Sequence, residues 1–272
     1  MADLDAAFVG SVPENYDRYL ANVFFNPFAE DLVARLPVSD GTRVLEVACG
    51  TGLLSRRLAE RLAGRGTLVA TDLNEAMIAY GRMQMPAGAP VEWQQADGTR
   101  LPFPDRSFDA VVCQFGLMFF PDKAAGMAEA HRVLRPGGRY LFNVWDAMEH
   151  TPIARLTHET AGSFFPADPP TFYATPFSFH DRARIRALLE AAGFADVEIA
   201  QVDKTGGSPS AAEAATGLIE GNPIAAAIRG RRADAVGEVK AALAARIAER
   251  FGDHPVRFPL RAIVCSARRP AP

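Results

Sequence analysis

The chain has 272 residues, a formal net charge of −3 and 49% apolar residues. It is long for one minimal domain and short for two full ones, with ample apolar material for a core. The near-neutral balance disfavours nucleic acid as a partner, and Arg229-Gly-Arg-Arg232 and Arg268-Arg269 read as solvated helix-end or tail charges.

The N-terminus carries no charged segment followed by an apolar one, so it does not read as a secretory leader. No apolar run in the chain is long enough to span a membrane. Helices are expected over 13–20 and 27–36, the second ending before Pro37, with Tyr16 and Tyr19 on one face. From residue 43 the rhythm is regular: strands near 43–48, 67–72, 91–95, 108–113 and 138–145, helices near 53–63, 74–84 and 122–134. Strand–helix alternation with short loops implies an α/β, doubly wound, parallel sheet whose ligands sit beyond the C-terminal strand ends. Residues 146–180 break this rhythm with Pro, Phe and His, and read as an irregular aromatic segment, either a wall of a substrate pocket or a loop packed on itself. Asp181 then caps a helix over 183–192 that ends at Gly193. A sixth strand is expected over 195–202, an alanine-rich helical insertion over 203–254 and a seventh strand over 256–267.

The chemistry concentrates in residues 44–52, VLEVACGTG. A short buried strand, a turn at Gly50, Thr51 and Gly52, and an amphipathic helix let the backbone approach a ligand at a helix N-terminus. Asp72 closes the next apolar run, Thr67-Leu-Val-Ala-Thr-Asp72, where a carboxylate suits the two hydroxyls of a ribose. This points to a nucleoside-containing cofactor. A dinucleotide fingerprint would need a third glycine, and Ser55 stands in its place. Glu46 inside the strand would oppose a diphosphate but favour a cationic ligand. S-adenosylmethionine (SAM) has a sulfonium, an ammonium and no phosphate.

The stretch resembles motif I of the class I SAM-dependent methyltransferases, and the rest follows in the family's order. Asp72 resembles the ribose-binding acid. Ala96-Asp97-Gly98 with Leu101-Pro102-Phe103 resembles the adenine-side loop, with Asp97 accepting from the adenine amino group. Phe108-Asp-Ala-Val-Val-Cys113-Gln114 resembles the fourth motif strand, and Arg132-Val-Leu-Arg-Pro-Gly-Gly138 the turn into strand five. The set most resembles the ubiquinone/menaquinone-biosynthesis-like branch (methyltransferase type 11), which also holds many small-molecule enzymes of unassigned substrate.

The resemblance implies a Rossmann-like, mostly parallel seven-stranded sheet. Its last two strands form an antiparallel hairpin at one edge, and a small helical lid serves substrate selection. Divided accordingly, the chain has an N-terminal helical cap (1–40), a SAM-binding core (41–145), a pocket-lining insertion (146–180), a core continuation (181–202), a lid insertion (203–254) and a last strand with tail (255–272). The implied cofactor set is Tyr16, Glu46, Ala48, Gly50, Thr51, Gly52, Asp72, Leu73, Met77, Ala96, Asp97, Gly98, Gln114 and Phe115. Within it, Tyr16 on the N-terminal helix would touch the methionine moiety, the alternative being that Tyr16 and Tyr19 pack on the core. Glu46 would order the methionine end, directly or through water. The backbone at Gln114 and Phe115 would bind the ammonium group. Branches acting on amines of DNA or protein carry N/D-P-P-Y there, whereas this chain has Cys113-Gln-Phe-Gly-Leu117, which argues against those branches.

The acceptor side is less legible. A proton must leave if the acceptor is a hydroxyl, an amine or an acidic carbon. His150, close after strand five, is the candidate general base, with His158 and Glu149 behind it; His131, His180 and His254 read as structural or surface residues. Tyr173 would either orient an acceptor or pack. The expected function is methyl transfer from SAM, yielding S-adenosylhomocysteine, to a small apolar or aromatic molecule. SAM binding without transfer and a nicotinamide-dependent oxidoreductase are the alternatives. No metal site, nucleic-acid partner or membrane insertion is expected, and a homodimer is left open. Cys49, Cys113 and Cys265 lie far apart in apolar contexts, as free thiols suited to a reducing cytosol.

Overall fold

Residue 10 and residues 12–271 are described by the computed structural model, so half of the N-terminal stretch read for a leader lies outside the described residues. The first elements depart from expectation. Instead of two separate helices there is continuous helical backbone: α1 (Val12–Asn15), a π-helical segment (Tyr16–Phe25) and α2 (Asn26–Arg35). Pro27 explains the wide turn before it. A proline inside an α-helix lacks its N–H and its ring meets the carbonyl of the previous turn. Here the register has already widened, the Asn26 N–H reaching back five residues to the Ala21 carbonyl, and α-geometry resumes around the proline.

The strands are β1 (Arg43–Val47), β2 (Thr67–Asp72), β3 (Val91–Gln95), β4 (Phe108–Gln114), β5 (Leu134–Trp145), β6 (Ala195–Ser208) and β7 (Val256–Arg268). The central strands form where apolar runs can be buried on both faces, and the two edge strands, β3 and β6, are more polar and only partly buried. The single sheet has the order β3-β2-β1-β4-β5-β7-β6. Leu45 pairs in parallel with Val69 on one side and with Val111 on the other. β5 is parallel to β4 but antiparallel to β7, with Phe142 opposite Cys265. The last strand therefore lies inside the sheet, and β6 is the edge. Connecting helices are α3 (Leu53–Leu62), α4 (Glu75–Gln84), α5 (Lys123–Val133) and α7 (Arg182–Ala191), the latter two N-capped by Asp122 and Asp181.

Two further readings are corrected. Residues 146–180 are not irregular throughout, because α6 (Pro152–Ser163) occupies their first half. Its proline sits in the first turn, and Ile153, Ala154, Leu156, Thr157, Thr160 and Ala161 make a buried helical stripe. Strand six runs on to Ser208, so the helices of the insertion begin only at α8 (Ala211–Glu220), followed by α9 (Ile224–Arg231) and α10 (Ala235–Phe251). Gly206 stays in that strand because a side chain there would meet the Phe258 ring and the Val23 carbonyl.

The chain divides into two compact units. One comprises Ala29–Trp145, Phe179–Val202 and Ala262–Pro272; the other comprises the chain up to Phe28, Asp146–Ser178 and Asp203–Arg261. In the first, Leu32, Leu36, Val44, Leu54, Leu58, Leu62, Leu68 and Val112 share one buried cluster. In the second, α8 packs against the π-segment with Gly217 and Gly221 facing the backbone of Tyr16 to Leu20, and Tyr173 donates to the Leu218 carbonyl at 2.7 Å. Among the described residues no helix is long and apolar enough to cross a membrane.

Candidate active site

The site grows from the end of β1 in the first unit. Beyond Val47 the chain turns through Ala48 (φ 57°), Gly50 (φ 56°) and Gly52 (φ 75°), all left-handed. Gly52 caps α3 and, as a glycine, supplies no side-chain cap to the first N–H groups of the helix. The two glycines serve different needs. A side chain on Gly52 would lie 2.7 Å from the Trp93 ring, while Gly50 faces open space. The turn is thus backed by an indole on one side and clear on the other.

Asp72, at the end of β2 and 8% exposed, accepts the Gly50 N–H at 2.9 Å and the Asn74 N–H at 2.8 Å. Burial raises its carboxyl above the ordinary range, and the backbone donors of Asn74 and Gly50 act against that. Glu46, 1% exposed, accepts the Ser55 hydroxyl at 2.5 Å. Burial pushes it up to about 8 despite that bond. Ser55 therefore does at the third-glycine position what a glycine cannot: it holds the carboxyl of the neighbouring strand.

The remaining predicted residues of this unit come from neighbouring strand ends. Leu73 is 55% exposed beside Asp72, and Met77 is buried in α4. The Ala96 N–H donates to the Asp72 carbonyl at 3.0 Å. Asp97 is exposed and takes two hydrogen bonds on Oδ1, from the Thr99 N–H at 2.8 Å and the Thr99 hydroxyl at 2.7 Å. Gly98 is buried where a side chain would strike Phe120. Gln114 ends β4, and Phe115 follows it in a left-handed conformation (φ 50°). The Phe115 N–H is shared between the Asn143 side chain (2.9 Å) and the Asn143 carbonyl (3.2 Å), and its ring stacks on Trp145 at 3.9 Å. Glu46, Ala48, Gly50, Thr51, Gly52, Asp72, Leu73, Ala96, Asp97, Gly98, Gln114 and Phe115 thus lie at or just beyond the C-terminal halves of β1 to β4, with Met77 one turn into α4.

Sequence reasoning missed the partners: Ser55, Trp93, Asn143 and Trp145. A polar residue inside the apolar run Tyr140-Leu-Phe-Asn-Val-Trp145 was the available signal for Asn143.

Tyr16 and His150 belong to the other unit. Tyr16 opens the π-segment and stacks on Phe25 at 5.1 Å. His150 is exposed, its Nδ1 3.2 Å from Arg261, whose Nε donates to Asp203 at 2.7 Å. Tyr173 is buried and its hydroxyl is engaged on α8, so it packs. His131 lies against Phe194, and burial lowers its pKa. Cys49, Cys113 and Cys265 are buried free thiols.

Comparison with known proteins bears on the family and the fold. The pattern of a methyltransferase domain matches residues 44–138. The chain is 33% identical over 170 residues to the ubiquinone/menaquinone biosynthesis C-methyltransferase UbiE of Ectopseudomonas mendocina, covering 58% of this chain and 66% of that protein. It is 32% identical over 171 residues to UbiE of Teredinibacter turnerae, covering 58% of this chain and 69% of that protein. Among solved structures, phosphoethanolamine N-methyltransferase 2 of Haemonchus contortus in complex with S-adenosyl-L-methionine superposes with a TM-score of 0.63 at 18% identity, covering 98% of this chain and 59% of that one. At that identity the likeness speaks to fold alone.

Proposed function

The chain belongs to the class I SAM-dependent methyltransferase family, in its UbiE-like branch, and from that premise we propose that it transfers the methyl group of SAM to a small apolar or aromatic acceptor. The observation that carries the cofactor assignment is the Asp72 carboxylate, tied to the Gly50 N–H and set beside a turn whose Gly50 face is open. The donor set fits SAM. Asp72 retains acceptor capacity for ribose hydroxyls, Leu73 offers exposed apolar surface next to it for a base, and Asp97 keeps one oxygen without a partner among the described residues for an exocyclic amine. The Asp72 carboxylate favours a cation over a diphosphate, and a bound cation would draw the buried Glu46 towards its ionised form. When bound, SAM would supply the electrophilic methyl group. The chain's own work is to hold and orient both partners and keep water away.

The names of the UbiE relatives point to quinone-type acceptors and to carbon as the methylated atom. His150 is the candidate base. Arg261 donates to its Nδ1, which leaves the neutral ring's proton on Nε2, so the role requires Arg261 to release Nδ1. Three buried thiols suit a reducing compartment.

Calorimetric titration with SAM and S-adenosylhomocysteine, with NADH as control, tests the assignment. Binding of the first two and not the third supports it, and an acceptor screen over small aromatics and quinols follows. Binding with no turnover on any acceptor would favour a SAM-binding protein without transfer. Binding of NADH alone would sink the proposal.

A further inference from the structure

Two non-glycine residues hold left-handed backbone at neighbouring strand ends: Ala48 after β1 and Phe115 after β4. They are mechanically joined. Gly116 is a glycine because a side chain there would run into the Ala48 Cβ and come within 3.0 Å of the Cys113 sulfur. Any shift of the turn after β4 is therefore felt at the start of the glycine turn. Left-handed conformation in a phenylalanine is costly and persists only where its surroundings over-determine it. Asn143 helps to hold it, its Oδ1 and its backbone carbonyl both accepting the Phe115 N–H, alongside the stack of the ring on Trp145.

The rest of that amide gains nothing. Asn143 is 0% exposed, and its Nδ2 has no hydrogen-bond partner among the described residues. A buried donor without a partner is destabilising, and an apolar side chain of the same volume would avoid the cost. The amide's contribution must therefore come through Oδ1. We propose that Asn143 is a positioning residue for cofactor binding: it locks the Gln114–Gly116 turn and, through the Gly116–Ala48 contact, sets the glycine turn that receives SAM. This rests on the cofactor assignment above. Departures from a stable arrangement cluster where function requires them, and an offset of about 1 Å in a binding group can cost up to ~100-fold.

The test uses the full chain, S-adenosylhomocysteine as probe, and the isosteric pair Asn143→Leu and Asn143→Asp. The first removes the acceptor oxygen; the second keeps an oxygen facing the Phe115 N–H in either protonation state. Asn143→Leu should melt no lower than the parent yet bind the probe about tenfold or more weakly, while Asn143→Asp should bind within about threefold of the parent. Rescue by aspartate alone is what a merely structural residue would not show. Parent-like binding by Asn143→Leu, or equal loss in both variants, overturns the proposal. If the leucine variant does not fold, Asn143→Ala against Asn143→Asp gives the same comparison. A parent protein that does not bind the probe refutes the cofactor assignment itself, and the positioning role with it.

Discussion

Replacing Glu46 by glutamine should make the protein more stable at alkaline pH and leave it nearly unchanged in acid. The carboxyl is 1% exposed, and burial lifts it from an ordinary 4.5 to about 8 even though Ser55 donates to it at 2.5 Å. The folded state then holds a proton that the unfolded chain releases above 4.5, so stability falls as pH climbs from 4.5 towards 8 and levels off beyond. At about 1.36 kcal/mol per pH unit the whole window is worth about 5 kcal/mol, of which about 3 lies between pH 5.5 and 8. In Glu46→Gln that dependence vanishes, while the glutamine's oxygen can still accept from Ser55. Urea denaturation of both proteins at pH 5.5, 7 and 8.5 reads the difference directly. It should grow with pH in favour of the variant, by about 2–4 kcal/mol across the range. A difference that stays flat within about 0.5 kcal/mol would mean that Glu46 is already ionised in the folded protein, and the burial argument would fail. Because a nearby cation favours the ionised form, SAM binding near pH 7 should also release protons, visible as a buffer-dependent binding enthalpy.

The other predictions concern single contacts. Asp72→Ala removes the acceptor for the Gly50 and Asn74 N–H groups and should weaken S-adenosylhomocysteine binding by about 1.5–3 kcal/mol; calorimetric affinity within twofold of the parent would discard the site. Gly52→Ala places a methyl 2.7 Å from Trp93 at a φ of 75°, so the free energies of unfolding and of probe binding should each drop by about 1–3 kcal/mol. Adding Trp93→Leu should relieve the clash but not the backbone strain, giving partial recovery; full recovery would show that strain is negligible. Tyr173→Phe loses the bond to the Leu218 carbonyl and should cost about 1–3 kcal/mol of stability without changing probe affinity, and altered affinity would mean that Tyr173 does more than pack.

The centre of the sheet was legible because its strands are apolar runs, and the expected strands over 43–48, 67–72, 91–95 and 108–113 formed within a residue or so of their expected ends. Helix α6 was hidden because its apolar residues, Ile153 to Ala161, stand among the prolines, phenylalanines and histidines of a segment whose second half really is irregular. The extension of β6 to Ser208 was hidden by Gly206 and Gly207, which read as a break, although a glycine there answers close packing by Phe258. In the candidate site, the strand-end positions of Gly50, Asp72, Asp97 and Gln114 were readable from type and spacing. The partner contacts around them were not: Ser55 meets Glu46, Trp93 backs Gly52 and Asn143 grips Phe115 only after folding, and local sequence carries little trace of contacts made across a sheet.

The place of β7 between β5 and β6 has a consequence for synthesis. About 110 residues separate the end of β5 at Trp145 from Val256, where β7 begins. A ribosome adding roughly 5–20 residues per second needs roughly 5–20 s to cover that distance. Throughout it, the apolar side of β5 that β7 will occupy is an open strand edge on a nascent chain, the kind of surface on which neighbouring chains pair. Yield of this protein should therefore respond to chaperone supply and growth temperature more than its folded stability alone would suggest.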